Sequence, residues 1–224
     1  MIATTVYLAA AGDGSTDPWH VLGNSYAERL ALAALADLAL LRGLDVAPAD
    51  PSESPAARRL ALVGGPGLPG ALGVAASALA ASTKQLDVDR AVRLLRDLSP
   101  AIEAELVQTG ALVAGGQKGL LKKRAVLVAR PEAVADAQAR LRAGASDDTA
   151  AGLTLAVFAT TGMPARRLVK LCGGAPPAAP DPFDAFRRDM VAPDGQPIGD
   201  RVADLLTTLA TVLAATSDTT NDFD

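Results

Sequence analysis

Leu30-Ala31-Leu32-Ala33-Ala34-Leu35-Ala36-Asp37-Leu38-Ala39-Leu40-Leu41 is the stretch that decides the fold of this chain. Every residue except Asp37 is a strong helix former, and the run contains no Gly, Pro or β-branched residue. A helix that is apolar on nearly all sides belongs inside a protein or a membrane. Because a bilayer span takes about 20 apolar residues, this run is too short to cross one. It predicts a central helix buried by other helices, although one helix of an ordinary bundle would show the same pattern.

Three features around this run give local predictions. Ser25 followed by Glu28 has the spacing of a capping box at the start of the helix. Gly43 suits a left-handed residue just beyond its end. We expect Asp37 to have a hydrogen-bonded partner, because an unpaired acid in such an apolar helix would be too costly to bury.

Composition limits the class of protein. With 224 residues, half of them hydrophobic and only 3% aromatic, the chain predicts one helical domain over residues 1–216 with a disordered acidic tail at 217–224. The net charge of −4 argues against a general nucleic-acid binder. The single Cys172 excludes an intrachain disulfide, and no basic residue precedes Arg29, as a signal peptide would require. We expect a soluble, cytoplasmic protein that is at most peripheral on a membrane, on its inner face.

The rest of the chain reads as helices with two short hairpins. The first apolar stretch, at 4–11, suits a short helix or a strand. Helices are predicted at 71–81, 87–98, 99–109, 131–144, 146–158, 164–171 and 201–215, and hairpins pair 44–47 with 60–63 and 111–113 with 124–128. The fold class is therefore mainly α: a compact helical domain around a central hydrophobic helix, with one or two small β-hairpins.

Known catalytic and cofactor patterns find little support. Gly65-x-Gly67-x-x-Gly70 matches the dinucleotide-binding spacing, but Pro66 and Pro69 lack the backbone N–H that a pyrophosphate needs. The chain also lacks the strand–helix alternation of a parallel sheet. One His and one Cys do not make a multi-His metal site or an activated thiol. We expect no enzyme activity, no metal and no cofactor.

The placement of charge is more informative. Residues 106–131 contain no acid but five cations, Lys118, Lys122, Lys123, Arg124 and Arg130, around the apolar pair Leu120 and Leu121. Upstream, Arg90, Arg93 and Arg96 recur every third residue, on a different helix face from Leu94, Leu95 and Leu98. An ordinary solvated face with a Lys-protected sheet edge would look the same. Apolar residues ringed by Lys beside a turn also suit an anionic lipid surface.

The sequence resembles the Golgi phosphoprotein family, adaptors that bind phosphatidylinositol 4-phosphate, in the form of its bacterial members. The resemblance covers nearly the whole chain. It is carried by Tyr7-Leu-Ala-Ala-Ala-Gly-Asp-Gly before Trp19, Leu35-Ala-Asp-Leu-Ala-Leu-Leu-Arg-Gly, Leu106-Val-Gln-Thr-Gly-Ala-Leu and Gly152-Leu-Thr-Leu-Ala-Val-Phe-Ala.

The resemblance implies a helical fold around a buried helix, with a hairpin directed at the membrane. It implies a headgroup pocket with Trp19 at the family's Trp position, Arg29 near the family's core-helix Arg, and Arg96 with Arg93 as the basic pair. It also implies that the membrane-contact hairpin here consists of Lys118, Leu120, Leu121, Lys122, Lys123 and Arg124, with a basic tip where the family has an aromatic one.

These observations favour a non-enzymatic peripheral membrane adaptor that binds phosphatidylinositol 4-phosphate or another anionic phospholipid. A protein-interaction scaffold that self-associates through the hairpin is the first alternative, and a winged-helix DNA-binding module is the second. The helix before the hairpin carries Glu103 and Glu105 and no basic residue, so it would repel phosphates in a major groove. A protein cargo and a homo-oligomer are left open, and no nucleic-acid partner is expected.

Overall fold

A computed structural model describes residues 1–12, 19–48, 53–63, 67–118, 124–144, 149–176, 181 and 185–218, with backbone alone at 19, 20, 24, 116–118, 124, 125, 217 and 218. The helices are α1 (Ile2–Ala10), α2 (Trp19–Leu22), α3 (Tyr26–Leu40), α4 (Gly70–Ala80), α5 (Val88–Leu94), α6 (Ser99–Gln108), α7 (Pro131–Gly144), α8 (Ala150–Thr160), α9 (Ala165–Cys172) and α10 (Gly199–Asp218). Short 3-10 turns lie at Gly23–Ser25 and Pro55–Ala57. The strands are β1 (Leu44–Val46), β2 (Leu60–Leu62), β3 (Leu112–Lys118) and β4 (Arg124–Ala129). The mainly helical prediction is confirmed.

Helix α3 is the centre of the molecule. All its residues from Arg29 to Leu40 are buried, and α1, α4, α5, α8 and α10 pack around it. Only the last residue of the predicted run, Leu41, is exposed. Because the run is made of Ala and Leu, neighbouring helices can approach it closely on every side. The predicted central core helix is therefore confirmed.

Asp37 ties the start of the chain to this centre. Its Oδ1 accepts a hydrogen bond from the Ile2 N–H at 2.8 Å, and its Oδ2 accepts one from the Ala3 N–H at 3.1 Å. The carboxylate thus caps the N-terminus of α1, where two backbone donors have no partner inside the helix. Burial raises the pKa of Asp37 more than the hydrogen bond from Ile2 lowers it. The expectation of a bonded partner for Asp37 is confirmed.

Both predictions for the ends of α3 are wrong in detail. The Ser25 side chain makes no capping bond, because its backbone is in a helical conformation and not the extended one a cap needs. At the other end the left-handed residue is Arg42, with φ of 54°, and not Gly43. The Arg42 N–H bonds to Ala39 and the Gly43 N–H to Leu38, which closes a Schellman motif one residue earlier than predicted.

The two predicted hairpins are present. Strands β1 and β2 pair antiparallel, with Leu44 opposite Leu62. Strands β3 and β4 pair antiparallel from Leu112 opposite Ala129 to Lys118 opposite Arg124, with an irregularity between Ala114 and Gln117. The second hairpin begins at the buried Leu112 and packs on the helical body chiefly through β3 and α6.

The C-terminal half follows the predicted pattern with shifted boundaries. Helix α7 has the predicted bounds, and it approaches α8 so closely that a Cβ on Gly144 would collide with the Gly152 backbone. Helix α8 begins after a cap by Thr149, later than the predicted start at Ser146. Helix α10 runs to Asp218, so its last two residues belong to the predicted tail, and residues 219–224 lie outside the described residues.

Candidate functional site

A groove lies beside the N-terminal end of α3, and Arg96, one of the predicted headgroup residues, lines it. Helices α3, α5 and α10 and the 3-10 turn Pro55–Ala57 surround a volume of about 560 Å³. Leu32, Val92 and Val212 give it an apolar floor. Its charged lining residues are Glu28, Asp89 and Arg96. The groove therefore combines an apolar interior with charged groups of both signs.

Two of the three arginines of the predicted headgroup site, Arg93 and Arg96, lie in or close to this groove, and each forms an ion pair with an acidic residue. Arg96 Nη2 is 3.0 Å from Glu28 Oε1, and Arg93 Nη1 is 2.6 Å from Asp89 Oδ2. The arginine side chains are 54% and 56% exposed. The Asp89 side chain is 53% exposed, and an exposed ion pair is worth about 0–1 kcal/mol, so a phosphate can compete with this carboxylate for Arg93. The Glu28 side chain is only 22% exposed, so its pair with Arg96 costs more to break, but half of the Arg96 side chain is still open to solvent.

Arg29, the third predicted cation, does not join them. Its side chain faces α8 and is 1% exposed, with Nη1 donating to the Phe158 carbonyl at 2.7 Å and Nη2 donating to the Thr161 carbonyl at 2.9 Å. Burial lowers the pKa of Arg29 to about 10. The guanidinium lies at the C-terminal end of α8, where a positive charge stabilises the carbonyl groups that have no partner within the helix. Its neighbour Glu28 lines the groove instead, so this packing disfavours Arg29 as a headgroup ligand.

Trp19 is the first residue of α2, a short helix in contact with α1, α3 and α9. Its side chain lies outside the described part of the structure. Its place in the wall of a headgroup pocket stays a prediction.

The hairpin residues of the predicted membrane contact are described only in part. The backbones of Lys118 and Arg124 form the pair most distant from the hairpin's base, while Leu120, Leu121, Lys122 and Lys123 lie outside the described residues. Near the middle of the hairpin, the Val128 side chain lies over Gly115, where a Cβ would collide with it. The strand pairing confirms the predicted hairpin, and the roles of its basic and apolar residues stay predictions.

No local sequence pattern predicts the contact that holds one wall of the groove in place. The guanidinium of Arg58 donates to both carboxylate oxygens of Asp204, at 2.8 Å each, and to Thr208 Oγ1 at 2.9 Å. The bonds to Asp204 raise the pKa of Arg58 above its ordinary value. They fasten the turn Pro55–Ala57 to α10. The two partners are 146 residues apart, and no local pattern joins them.

The two acidic residues of α6 have hydrogen-bond partners within the fold. Glu103 accepts a hydrogen bond from the Tyr7 hydroxyl at 2.8 Å, and Glu105 accepts one from the Ala71 N–H at 2.8 Å. The Glu105 carboxylate thus occupies the N-terminus of α4, where the Gly67-x-x-Gly70 pattern would have to hold a phosphate. Both acids of α6 are therefore structural, which disfavours the dinucleotide and winged-helix interpretations.

Within the described ranges, no three His, Cys, Asp or Glu side chains are grouped so as to hold a metal ion. Among the same residues, no helix is both long and apolar enough to cross a bilayer. No protein-family model matches this chain, and no curated protein sequence matches it. Function is therefore inferred from the side chains and their geometry.

Proposed function

We propose that this protein is a non-enzymatic peripheral membrane adaptor that binds phosphatidylinositol 4-phosphate or another anionic phospholipid. The observation that carries the proposal is the hairpin β3–β4. Its base is packed on the helical body, and its most distant described pair joins two basic residues, Lys118 and Arg124. The five residues that link this pair are Gly-Leu-Leu-Lys-Lys.

The length of the hairpin supports this role. Five residue steps separate Ala129 from Arg124 on the regular strand β4, which is roughly 17 Å at about 3.4 Å per residue. The backbones of Lys118 and Arg124 lie at that distance from the base, so a membrane contact by the chain that links them does not require the helical body to enter the bilayer. Each cation near an anionic bilayer contributes about 1 kcal/mol, and each buried Leu contributes roughly 1.5–3 kcal/mol at most. After the loss of rotational and translational freedom, the expected attachment is weak and reversible.

The groove beside α3 supports a second contact with the same lipid. Arg93 and Arg96 are both exposed, and a headgroup phosphate can replace the exposed Asp89 as the partner of Arg93 while Arg96 stays paired with the less exposed Glu28. The apolar lining next to Arg96 gives space for the glycerol and first methylene groups of a lipid.

Vesicle co-sedimentation tests this function directly. The full chain is mixed with vesicles of phosphatidylcholine alone, with added phosphatidylserine, or with added phosphatidylinositol 4-phosphate. We expect sedimentation only with the two anionic compositions, and a preference for the phosphoinositide if the groove reads its headgroup. Equal sedimentation with all three, or none with any, would overturn the proposal.

Self-association through the hairpin is a second candidate function, favoured by one observation. In the described part of the chain β3 and β4 pair only with each other, so each has an outer edge free for pairing with another copy. Gel filtration before and after removal of the hairpin tests it. A shift from a larger species to a monomer supports this function, and a monomer in both cases refutes it.

A further inference from the structure

Helix α9 has a basic outer face that neither the hairpin nor the groove uses. No acidic residue occurs between Thr149 and Pro180, whereas Arg166, Arg167 and Lys170 follow one another on this eight-residue helix. Leu171 and Cys172 are buried and hold the helix on the body. Arg166 and Lys170 are exposed, whereas Arg167 is half-buried, so the three cations lie outside the core.

The helices packed against α9 bring few acidic residues to this face. Helices α1 and α2 contain no acidic residue, and α7 contributes only Glu132 and Asp136. From α7, Arg142 donates a hydrogen bond to the Cys172 carbonyl at the C-terminal end of α9. Among the described residues, Arg142, Arg167 and Lys170 make no ion pair with an acid. The charges of these three side chains are thus not neutralised by an acid of the described residues.

The α9 face adjoins the groove of the proposed lipid site. The Arg167 guanidinium lies over Gly23, where φ is 73° and a Cβ would collide with it. Gly23 and Ser25 belong to one 3-10 turn, and Ser25 lines the groove that contains Arg96. The 3-10 turn Gly23–Ser25 therefore has Arg167 on one side and the groove with Arg96 on the other.

An exposed apolar residue distinguishes a bilayer from other anionic partners. Val169 is 48% exposed and is followed directly by the exposed Lys170. An apolar side chain among cations gains from the interfacial region of a membrane. It gains nothing from a nucleic-acid backbone, and α9 has no aromatic residue to stack on bases.

We propose that the outer face of α9, formed by Arg167, Val169 and Lys170 with Arg142 beside it, is a further contact surface for an anionic phospholipid bilayer. This inference rests on the proposed membrane function and adds a surface to the hairpin and groove. A cation at such a surface is worth about 1 kcal/mol, which is about fivefold in partitioning. Neutralising Arg167 and Lys170 together should weaken binding about 30-fold.

The test measures partitioning of the full chain onto vesicles of phosphatidylcholine with phosphatidylserine, and onto phosphatidylcholine alone. Arg167→Gln with Lys170→Gln should lower partitioning onto the anionic vesicles about 30-fold. Lys170→Gln alone, at an exposed position that folding does not need, should lower it about fivefold. Val169→Ser should lower it about threefold, since only the exposed half of the side chain can gain from burial in the bilayer.

Arg187→Gln with Arg188→Gln is the matched control. It removes the same net charge from two exposed positions that lie away from α9. These positions are near Val191, which pairs with Thr149 at the N-terminal end of α8, whereas α9 follows the C-terminal end of α8. The control should bind like the wild type.

Three results would overturn the inference. If α9 variants bind like the control while the wild type still prefers anionic vesicles, the α9 surface is refuted and the proposed function stands. If the wild type has no preference for anionic vesicles, both fail. If the α9 residues instead give tighter binding to short duplex DNA than to vesicles, the partner is a nucleic acid.

Discussion

Replacement of Asp37 by Leu tests how the central helix is joined to the start of the chain. The substitution removes a carboxylate that caps two buried N–H groups, those of Ile2 and Ala3. Each unsatisfied buried donor lowers the free energy of unfolding by about 1–3 kcal/mol. Because the substitution also removes the desolvation cost of a buried carboxylate, part of this loss is offset. We expect a net loss of about 3 kcal/mol in the free energy of unfolding, or roughly 6–12 °C in Tm for a chain of this size. Asp37→Asn keeps one acceptor and should lose about half as much.

The assay is urea denaturation followed by circular dichroism, with a thermal melt as a second measurement. The pH dependence gives an independent check. The pKa of Asp37 is raised in the folded protein above its unfolded value of 3.8, so the native state binds this proton more tightly. The resulting stabilisation is complete below pH about 4 and is lost as the pH rises through the folded pKa. The stability advantage of wild type over Asp37→Asn should therefore decrease between pH about 4 and neutrality. An Asp37→Leu protein as stable as wild type, or an advantage that grows with pH, would refute this reasoning.

Three further predictions concern the arginines. Arg93→Glu with Arg96→Glu should reduce sedimentation with phosphoinositide vesicles at least tenfold, because each charge reversal removes about 1 kcal/mol of attraction and adds repulsion. The circular dichroism spectrum should stay that of wild type. Unchanged sedimentation would place the headgroup site elsewhere. Arg29→Met should lower the free energy of unfolding by about 2–4 kcal/mol, because the carbonyls of α8 lose two charged hydrogen bonds; a urea midpoint equal to wild type would contradict this. Asp204→Ala should destabilise more than Arg58→Met, because the first leaves a buried cation and the second leaves a carboxylate that is 44% exposed to water; the reverse order in urea denaturation would show that the ion pair does not hold this wall of the groove.

Features of the fold that depend on local composition could be predicted from the sequence. The Ala and Leu run of α3 is apolar on nearly all sides and too short to span a bilayer, which predicts a buried helix, and Pro131 with Gly144 marks both ends of α7. The hairpins follow from short apolar runs on either side of polar turns. The ends of α3 could not be predicted, because Arg42 adopts a left-handed conformation that Gly43 would accept more easily. Its side chain bonds to Asp194 and to the Pro197 carbonyl, contacts that only the tertiary structure brings together.

The candidate site was predictable only in part, for the same reason. The spacing of Arg93 and Arg96 placed both on one side of α5 and its C-terminal turn, and the structure places Arg96 in the groove. No pattern revealed that Glu28 would be its partner. Arg29 follows Glu28 in sequence, but the turn of the helix directs it to α8 instead. A cation in the sequence becomes a ligand or a structural cap according to the helix face on which it lies.

The measurement that tests the central claim most directly is binding to anionic vesicles across a series of salt concentrations, for wild type and for Leu120→Ser with Leu121→Ser. Val63→Ser with Val74→Ser, at two exposed apolar positions elsewhere, is the matched control. Because the Debye length falls to about 3 Å at 1 M salt, wild-type binding should decrease steeply with salt. The Leu variant should bind more weakly than wild type and control at every salt concentration. Binding that does not depend on salt, or a Leu variant that binds as well as wild type, would contradict attachment through the basic and apolar hairpin.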